Sequence, residues 1–593
     1  MAPGSEVVEL DLDRIDPSLF SEDEVSYVYH LKHLSTVANA VVMSGENRGF
    51  IDLKVWRRPQ DNKPYNARIL ENQASLAFFY TEDRPWNPYF GDAALRARLE
   101  AILDFWCRSQ HTDGRFSEYA PEQWSLAPTG FGIKFMGETL RRLRAQEVIG
   151  GPGIDAALFQ RTVEAARKAI HVLLTHTDLL RHATNYSNQY TGFWGGLVAF
   201  LSAFPDPELE GQFAEMVRTF REKLTSPVGY HYERSGCDWQ YTLGTHRNNI
   251  RDVWKSVGGT EVGTMVAEME RPWVDWLSYN AVLEPDGTYF TLNRAIETRT
   301  GLPGFATWET PIGHDIELAR AFSRTDSEYL ASQAERKARM LAHWPAVAPL
   351  ESYSPHIFVD GHPRFDWHPS LAQREGARRS LPYLASDRFT AFRMDDRFGV
   401  HFQFIRRPAY YAAFQSGEVL APMQRYGLGL VWHPRMGTLL QTQSRDLGPW
   451  GTSASGADVY EAEAFEPDMT VGEEPFLPEP GKRLLGNGDL MLIYLLGERG
   501  QKVVRFAEDH IEVTVDHAGA FEEHLPLLTR ADDRLVVEGH QVRLRRGGEQ
   551  MVISFFSAME ITRPASDVFH GPFTLNPILV NTNDRLQYRI HWE

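Results

Sequence analysis

Several patterns that would place this chain in a protein class are scarce or missing. Its 593 residues include only two cysteines, Cys107 and Cys237. That excludes a disulfide-stapled scaffold and a cysteine-rich zinc site. No run of about 18 apolar residues occurs, so no membrane span is expected. The opening Met-Ala-Pro-Gly-Ser-Glu lacks a basic stretch followed by an apolar one, so no signal peptide is expected. The location implied is the cytoplasm, or the exterior if a leader has been removed. Positive charge is in deficit. Asp and Glu number 79 against 61 Lys and Arg, a net charge of −18, which is the wrong sign for a nucleic-acid partner. There is no Gly-x-Gly-x-x-Gly, no P-loop, no His-x-His and no His-Glu-x-x-His. His314, His401 and His433 are scattered. No nucleotide cofactor is expected and no metal is assigned; a structural ion, if there is one, would belong to the sheet part.

What is present begins with size and rings. A chain this long exceeds the roughly 250–300 residues at which one core stops growing, so two or three domains are expected. Its 15 Trp, 22 Tyr and 34 Phe suit either a large aromatic core or the stacking platforms of a carbohydrate site. The first part reads as helices. Leu95, Leu99, Ile102, Leu103 and Trp106 share one face, and Phe159, Val163, Ala166, Ile170, Leu173 and Leu174 another, with Asp155 as N-cap. Leu209, Phe213, Met216, Val217, Phe220 and Leu224 form a third. Pro345, Pro349 and Pro355 punctuate a linker, after which alternation has period two. Phe398, Val400, Phe402 and Phe404 alternate with polar residues. So do Ile511, Val513 and Val515, and Leu586, Tyr588, Ile590 and Trp592. Asn487-Gly488 and Gly547-Gly548 mark hairpin turns. The expected fold is α+β: an (α/α) toroid of helical hairpins at 1–344, a linker at 345–385 and an antiparallel β-sandwich at 386–593.

Residues 229–251 hold three tyrosines, two histidines, two asparagines and three arginines, a segment that reads as too polar for core. Phenols and imidazoles move protons, while amides and guanidiniums hold a carboxylate. Together they point to proton abstraction beside an acid group. Tyr241 and His246 are five apart, about 140° on a regular helix, so they share no face unless the winding changes. Cys237 lacks an oxyanion-hole signature and is set aside as a nucleophile. Upstream, Asn185-Tyr-Ser-Asn188-Gln189 precedes an apolar helix, and an Asn there can cap the helix or bind a carboxylate. His111-Thr-Asp-Gly-Arg-Phe-Ser-Glu118 reads as a structural loop or a cleft rim. Arg406-Arg407, Tyr410-Tyr411, Gln424-Arg425-Tyr426, His433 and Arg435 read as surface strand residues or as contacts for an anionic sugar.

Helical half, linker and sandwich together resemble polysaccharide lyases of the heparinase II/III-like, alginate-lyase and hyaluronate-lyase kind. Asn188 resembles the carboxylate-neutralising Asn of that family. Tyr241, in Tyr-Thr-Leu-Gly, is similar to the catalytic Tyr that hyaluronate-type lyases carry in a Tyr-Thr-Gly context. His246 follows the Tyr, which departs from the pattern, and Asn-Gln at 188–189 stands where the family has Asn-His, so the base is left open. The resemblance implies β-elimination on a uronic-acid polysaccharide with Asn188, Tyr241 and His246 catalytic. Asn185, Gln189, Trp239, Arg247, Arg251, Arg425 and Tyr426 are assigned to the substrate. Two other readings are a glycoside hydrolase using two of Asp113, Glu118, Glu233 and Asp238, and a glycan-binding protein without catalysis.

Overall fold

The face formed by Leu95, Leu99, Ile102, Leu103 and Trp106 lies buried on the helix Ala93–Ser109 in the computed structural model of the chain. The structure describes residues 6–359, 367–443, 448–454, 457–458, 468–471, 474–475, 483–484, 489–557 and 559–593. The second and third predicted faces lie on Ala156–Thr175 and Pro207–Leu224. Asp155 caps the former, its Oδ1 accepting from Leu158 N at 2.8 Å. The helices pack as hairpins into an (α/α) toroid around one shared core. The pairing of Leu126–Val148 with Ser187–Ala203 is close because glycines meet at the crossing: a Cβ on Gly137 would run into the Gly196 carbonyl. Among the described residues, no helix is long and apolar enough to cross a membrane.

Part of the Pro-punctuated segment packs on the helical half. Tyr353, Phe358 and Val359 sit in the toroid core, and Tyr353 Oη lies 2.6 Å from Ser75 Oγ. A small three-stranded sheet, Ala281–Leu283, Phe290–Leu292 and Gly304–Phe305, interrupts the helical half.

From Phe389 the chain is antiparallel sheet folded into a sandwich. Its layers are joined by two 20-residue strands, His510–Thr529 and Phe573–Trp592, which pair along their length. Ile511, Val513, Val515, Leu586, Tyr588 and Ile590 point between the layers. Gly547, at φ 60°, turns the hairpin joining Gln541–Arg546 to Glu549–Phe555; Asn487-Gly488 lies outside the described residues. The strand Val400–Arg407 is buried on both faces. Phe402 and Phe404 pack against Trp276 of the helical half, Ile405 faces the sandwich interior, and Gln403, one of the polar residues in the alternation, is fully buried. The reason is position: this strand lies between the toroid and the rest of the sandwich.

That junction also corrects the reading of 229–251. Tyr230, Tyr232, Cys237 and Trp239 are core residues of the joint between the two halves. Tyr230 and Tyr232 donate to Asp395 Oδ2 at 2.8 and 2.9 Å, and Ser226 Oγ does so at 2.7 Å. Polarity is compatible with burial here because the partners arrive from a strand more than 150 residues away in sequence.

Candidate active site

Two consecutive left-handed residues shape the centre of the site. Arg234 and Ser235 have φ of 52° and 65°, and Glu233 N donates to Gly236 O at 2.8 Å, a tight turn of the kind that reverses a hairpin. The turn fixes Glu233 beside the helix Ser187–Ala203, whose Ser187 N donates to Tyr232 O at 2.9 Å. Asn188, in the first turn, donates both its backbone N–H (3.1 Å) and its side-chain amide to Glu233 Oε1. The other Glu233 oxygen accepts from Arg299 Nη2 at 2.8 Å. Arg299 Nε reaches Asp238 Oδ2 at 3.2 Å, and its guanidinium lies 3.6 Å from the centre of the Tyr241 ring. Asp238 caps the helix that follows, accepting from Tyr241 N at 3.0 Å. Glu297 Oε1 accepts from Trp239 N at 3.3 Å and Thr300 Oγ1 at 3.3 Å.

The cluster carries three carboxyl groups, Glu233, Asp238 and Glu297; Arg299 pairs with the first two, and the charge of Arg294 acts on the third. Burial pushes Glu233 up to about 7 despite Arg299. Burial, and then the charge of Asp238, pushes Glu297 up to about 8. Cys237 is buried and its thiol is driven well up by the same loss of solvent, which removes it as a nucleophile.

The turns over Tyr241–His246 are π-wound before the helix continues as Arg247–Val257. Bonding from i to i+5 brings residues five apart towards one side, and such turns concentrate at functional sites. The sequence spacing alone had no means of showing this. His246 is buried, its Nδ1 3.4 Å from Thr191 Oγ1, one turn along the Asn188 helix. Asn249 Nδ2 donates to Asn188 O at 2.9 Å and to Thr191 Oγ1 at 3.2 Å, and accepts at Oδ1 from Lys134 Nζ at 3.1 Å. Asn188, Tyr241 and His246 thus belong to one connected polar cluster, joined through Glu233 and Arg299 on one side and through Thr191 and Asn249 on the other.

The remaining assigned residues are placed differently. Asn185 Oδ1 accepts from Ser235 Oγ at 3.0 Å, and Gln189 Oε1 lies 3.1 Å from His182 Nε2, both at the rim of the cluster. Arg247 lies 3.8 Å from Glu309, and Arg251 is buried. Trp239 is fully buried with its indole N–H on Asn293 O at 2.9 Å, so its ring is not offered to a ligand. Tyr426 packs in the sandwich core, and Arg425 spends its guanidinium on the carbonyls of Pro422 and Gln424; a strand reading from sequence does not reveal that both its faces are covered. In the 111–118 loop, Asp113 pairs with Arg115 and Glu118 with Arg57, each at 2.8 Å.

The solved structure of heparinase III superposes on 99% of this chain and 87% of its own, with a TM-score of 0.51 at 12% identity. The chain has a polysaccharide-lyase fold. Two further lyases are similar at lower TM-scores. Heparan sulfate lyase HepC from Pedobacter heparinus has 10% identity, covers 92% of this chain and 79% of that one, and scores 0.45. Chondroitin AC lyase from Streptomyces coelicolor A3 has 12% identity, covers 97% and 80%, and scores 0.46. No protein-family model and no curated protein matches the chain.

The reading from sequence missed Arg299, Glu297, Thr191, Asn249 and Lys134. Glu297-Thr-Arg299-Thr-Gly-Leu-Pro-Gly carries a faint signal, charged residues entering a Gly/Pro-rich loop. Asn249 is one of the two asparagines counted in the 229–251 segment; Thr191 and Lys134 give no signal, because their roles arise only from contacts between distant segments.

Proposed function

We propose that the protein is a polysaccharide lyase acting by β-elimination on a uronic-acid polymer. The observation that carries this reading is the joined set Asn188–Glu233–Arg299–Tyr241 on a lyase fold. An amide NH₂ has two donor hydrogens. Glu233 takes one from Asn188 and orients the group, leaving the second for the C6 carboxylate of the sugar. Binding there neutralises charge that grows as the C5 proton leaves, the kind of stabilisation that is strongest in the transition state.

Tyr241 is partly exposed, whereas Asn188 and His246 are buried, so the phenol is the group a polymer meets first. Arg299 holds its ring by a cation–π contact. Tyr241 removes the C5 proton and returns it to the departing O4, one residue serving both steps when hydrogen and leaving group share a face. His246 has Nδ1 turned to Thr191 and Nε2 to Glu270, so it takes no part in the proton transfer.

The hydrolase reading needs two carboxyl groups flanking the scissile bond. Of its candidates, Glu233 and Asp238 are both buried and both held by Arg299, so neither is offered to a scissile bond. A panel of anionic polysaccharides followed by ultraviolet absorbance tests the proposal. A 4,5-unsaturated uronate from at least one polymer supports it. New reducing ends without that chromophore indicate hydrolysis, and tight binding without product indicates a glycan-binding protein.

A further inference from the structure

Behind the candidate site lies a second group that the elimination does not use. His231 precedes the Glu233 turn, His246 ends the π-turn, and Glu270 stands on the helix Glu261–Asn280. Each is at most 2% exposed. One donor atom from each lies within 4.8 Å of the other two. Glu270 Oε1 is 3.4 Å from His246 Nε2 and 3.7 Å from His231 Nε2, and the two imidazoles stack with centres 3.5 Å apart. Both nitrogens of His231, Nε2 of His246 and Oε1 of Glu270 lack a hydrogen-bond partner among the described residues.

Four polar atoms in this state are costly. A buried polar atom without a partner has given up its hydration for nothing, and the loss is larger when it is charged. A proton shared between Glu270 and one imidazole would relieve two of them and leave the other ring unpaired. From this geometry we propose that His231, His246 and Glu270 form a binding site for a divalent transition metal of the zinc class. Zinc bonds of about 2.0–2.2 Å to nitrogen and oxygen put tetrahedral ligands roughly 3.3–3.6 Å apart. The carboxylate-to-imidazole separations match that spacing to within about 0.1 Å.

Two imidazoles and one carboxylate suit zinc and its neighbours and not calcium or magnesium, which take oxygen sets. The outer contacts are those of a metal site. Glu270 Oε2 accepts from Thr310 Oγ1 at 3.0 Å, and His246 Nδ1 faces Thr191, leaving Nε2 for the ion. The three ligands are 15 and 24 residues apart in sequence, which is why no local motif announces them. An ion here ties the Glu233 turn, the π-turn and the Glu261–Asn280 helix together. It acts as a positioning device for Tyr241, five residues before His246.

The test uses the full chain, stripped with chelator and titrated with Zn²⁺ by calorimetry, with Co²⁺ as the spectroscopic probe. One equivalent should bind. Cobalt should give the intense visible bands of a four-coordinate site, and X-ray absorption of the zinc form should show two imidazoles in a nitrogen/oxygen shell. Glu270→Gln and His231→Ala should each weaken zinc by at least about 100-fold, and Thr310→Val by about 10-fold, within the roughly 10–100-fold typical of outer-shell partners. Failure of the wild-type chain to bind an equivalent of zinc at micromolar concentration overturns the proposal. So does an absorption spectrum without imidazole, or one equivalent bound undiminished in both ligand variants. The measurements on wild type decide the matter even if a variant does not fold, and none of them depends on lyase activity.

Discussion

The toroid and the sandwich each bury a polar cluster, and the two are built on opposite principles. In the sandwich, Lys502 and Glu523 are both fully buried and stand one against one. Lys502 Nζ donates to Glu523 Oε1 at 2.6 Å and to Thr452 Oγ1 at 3.2 Å. Thr452 and Tyr588 complete the carboxylate at 2.6 and 2.9 Å, and Trp450 covers the ammonium at 3.6 Å. In the toroid, three carboxyl groups face Arg299 and Arg294, and beside them two histidines and a fourth carboxylate have atoms with no hydrogen-bond partner among the described residues. A balanced, closed network can serve stability alone. An unbalanced one persists at a cost in stability, and such sites concentrate where a ligand or reaction supplies what is missing.

Substitutions separate the two. The largest effect is expected for Tyr241→Phe, which should lower turnover about 10²–10⁴-fold while thermal unfolding stays near wild type, read by ultraviolet assay and calorimetry. Wild-type turnover would remove Tyr241 from the chemistry and leave the toroid cluster without its reacting group. Next, Lys502→Met leaves Glu523 buried without its cation and should cost about 3–5 kcal/mol in denaturant unfolding. Activity per folded molecule should be unchanged, and loss of turnover without loss of stability would make the sandwich cluster functional after all.

A third contrast lies in pH. Glu297 is held up at about 8, first by burial and then by Asp238, against an ordinary value near 4.5. The folded state therefore binds more protons than the unfolded state across that interval. Its contribution to stability is complete below about pH 4.5 and is lost as pH rises through about 8. Melting followed from about pH 5 to 9 should show this decline, and Glu297→Gln should flatten it; an unchanged slope would put Glu297 outside the unbalanced set. The smallest effect is expected at the joint. Tyr232→Phe removes one of three hydrogen bonds to Asp395 Oδ2 and should cost about 1.5 kcal/mol by chemical denaturation. No measurable loss would show that Ser226 and Tyr230 alone satisfy the carboxylate.

Much of the architecture was legible because period carries it. Leu95, Leu99, Ile102 and Trp106 require a helix, and Ile511, Val513 and Val515 a strand, whatever surrounds them. Asp155 was readable as a cap because its partner is three residues on. The candidate site was legible only in part. Asn188 and Tyr241 stood out by residue type beside their neighbours, whereas Arg299, which links them, gave only the faint sign of a charged residue entering a Gly/Pro-rich loop. Trp239 and Tyr426 looked like ligand contacts because aromatic residues in polar company do, and what buried them came from other segments.

The amino-acid order alone determined that a mainly helical part precedes a stranded one, which faces are apolar, and that phenol, imidazole and amide chemistry is concentrated between residues 185 and 251. Those are properties of neighbours along the chain, set by turn geometry and hydrophobic period. Tertiary structure decided which of these polar groups are paired, which stay short of partners, and that His231, His246 and Glu270 converge. Convergence depends on packing between segments tens of residues apart, and no local pattern encodes the distance between atoms that only the folded core brings together.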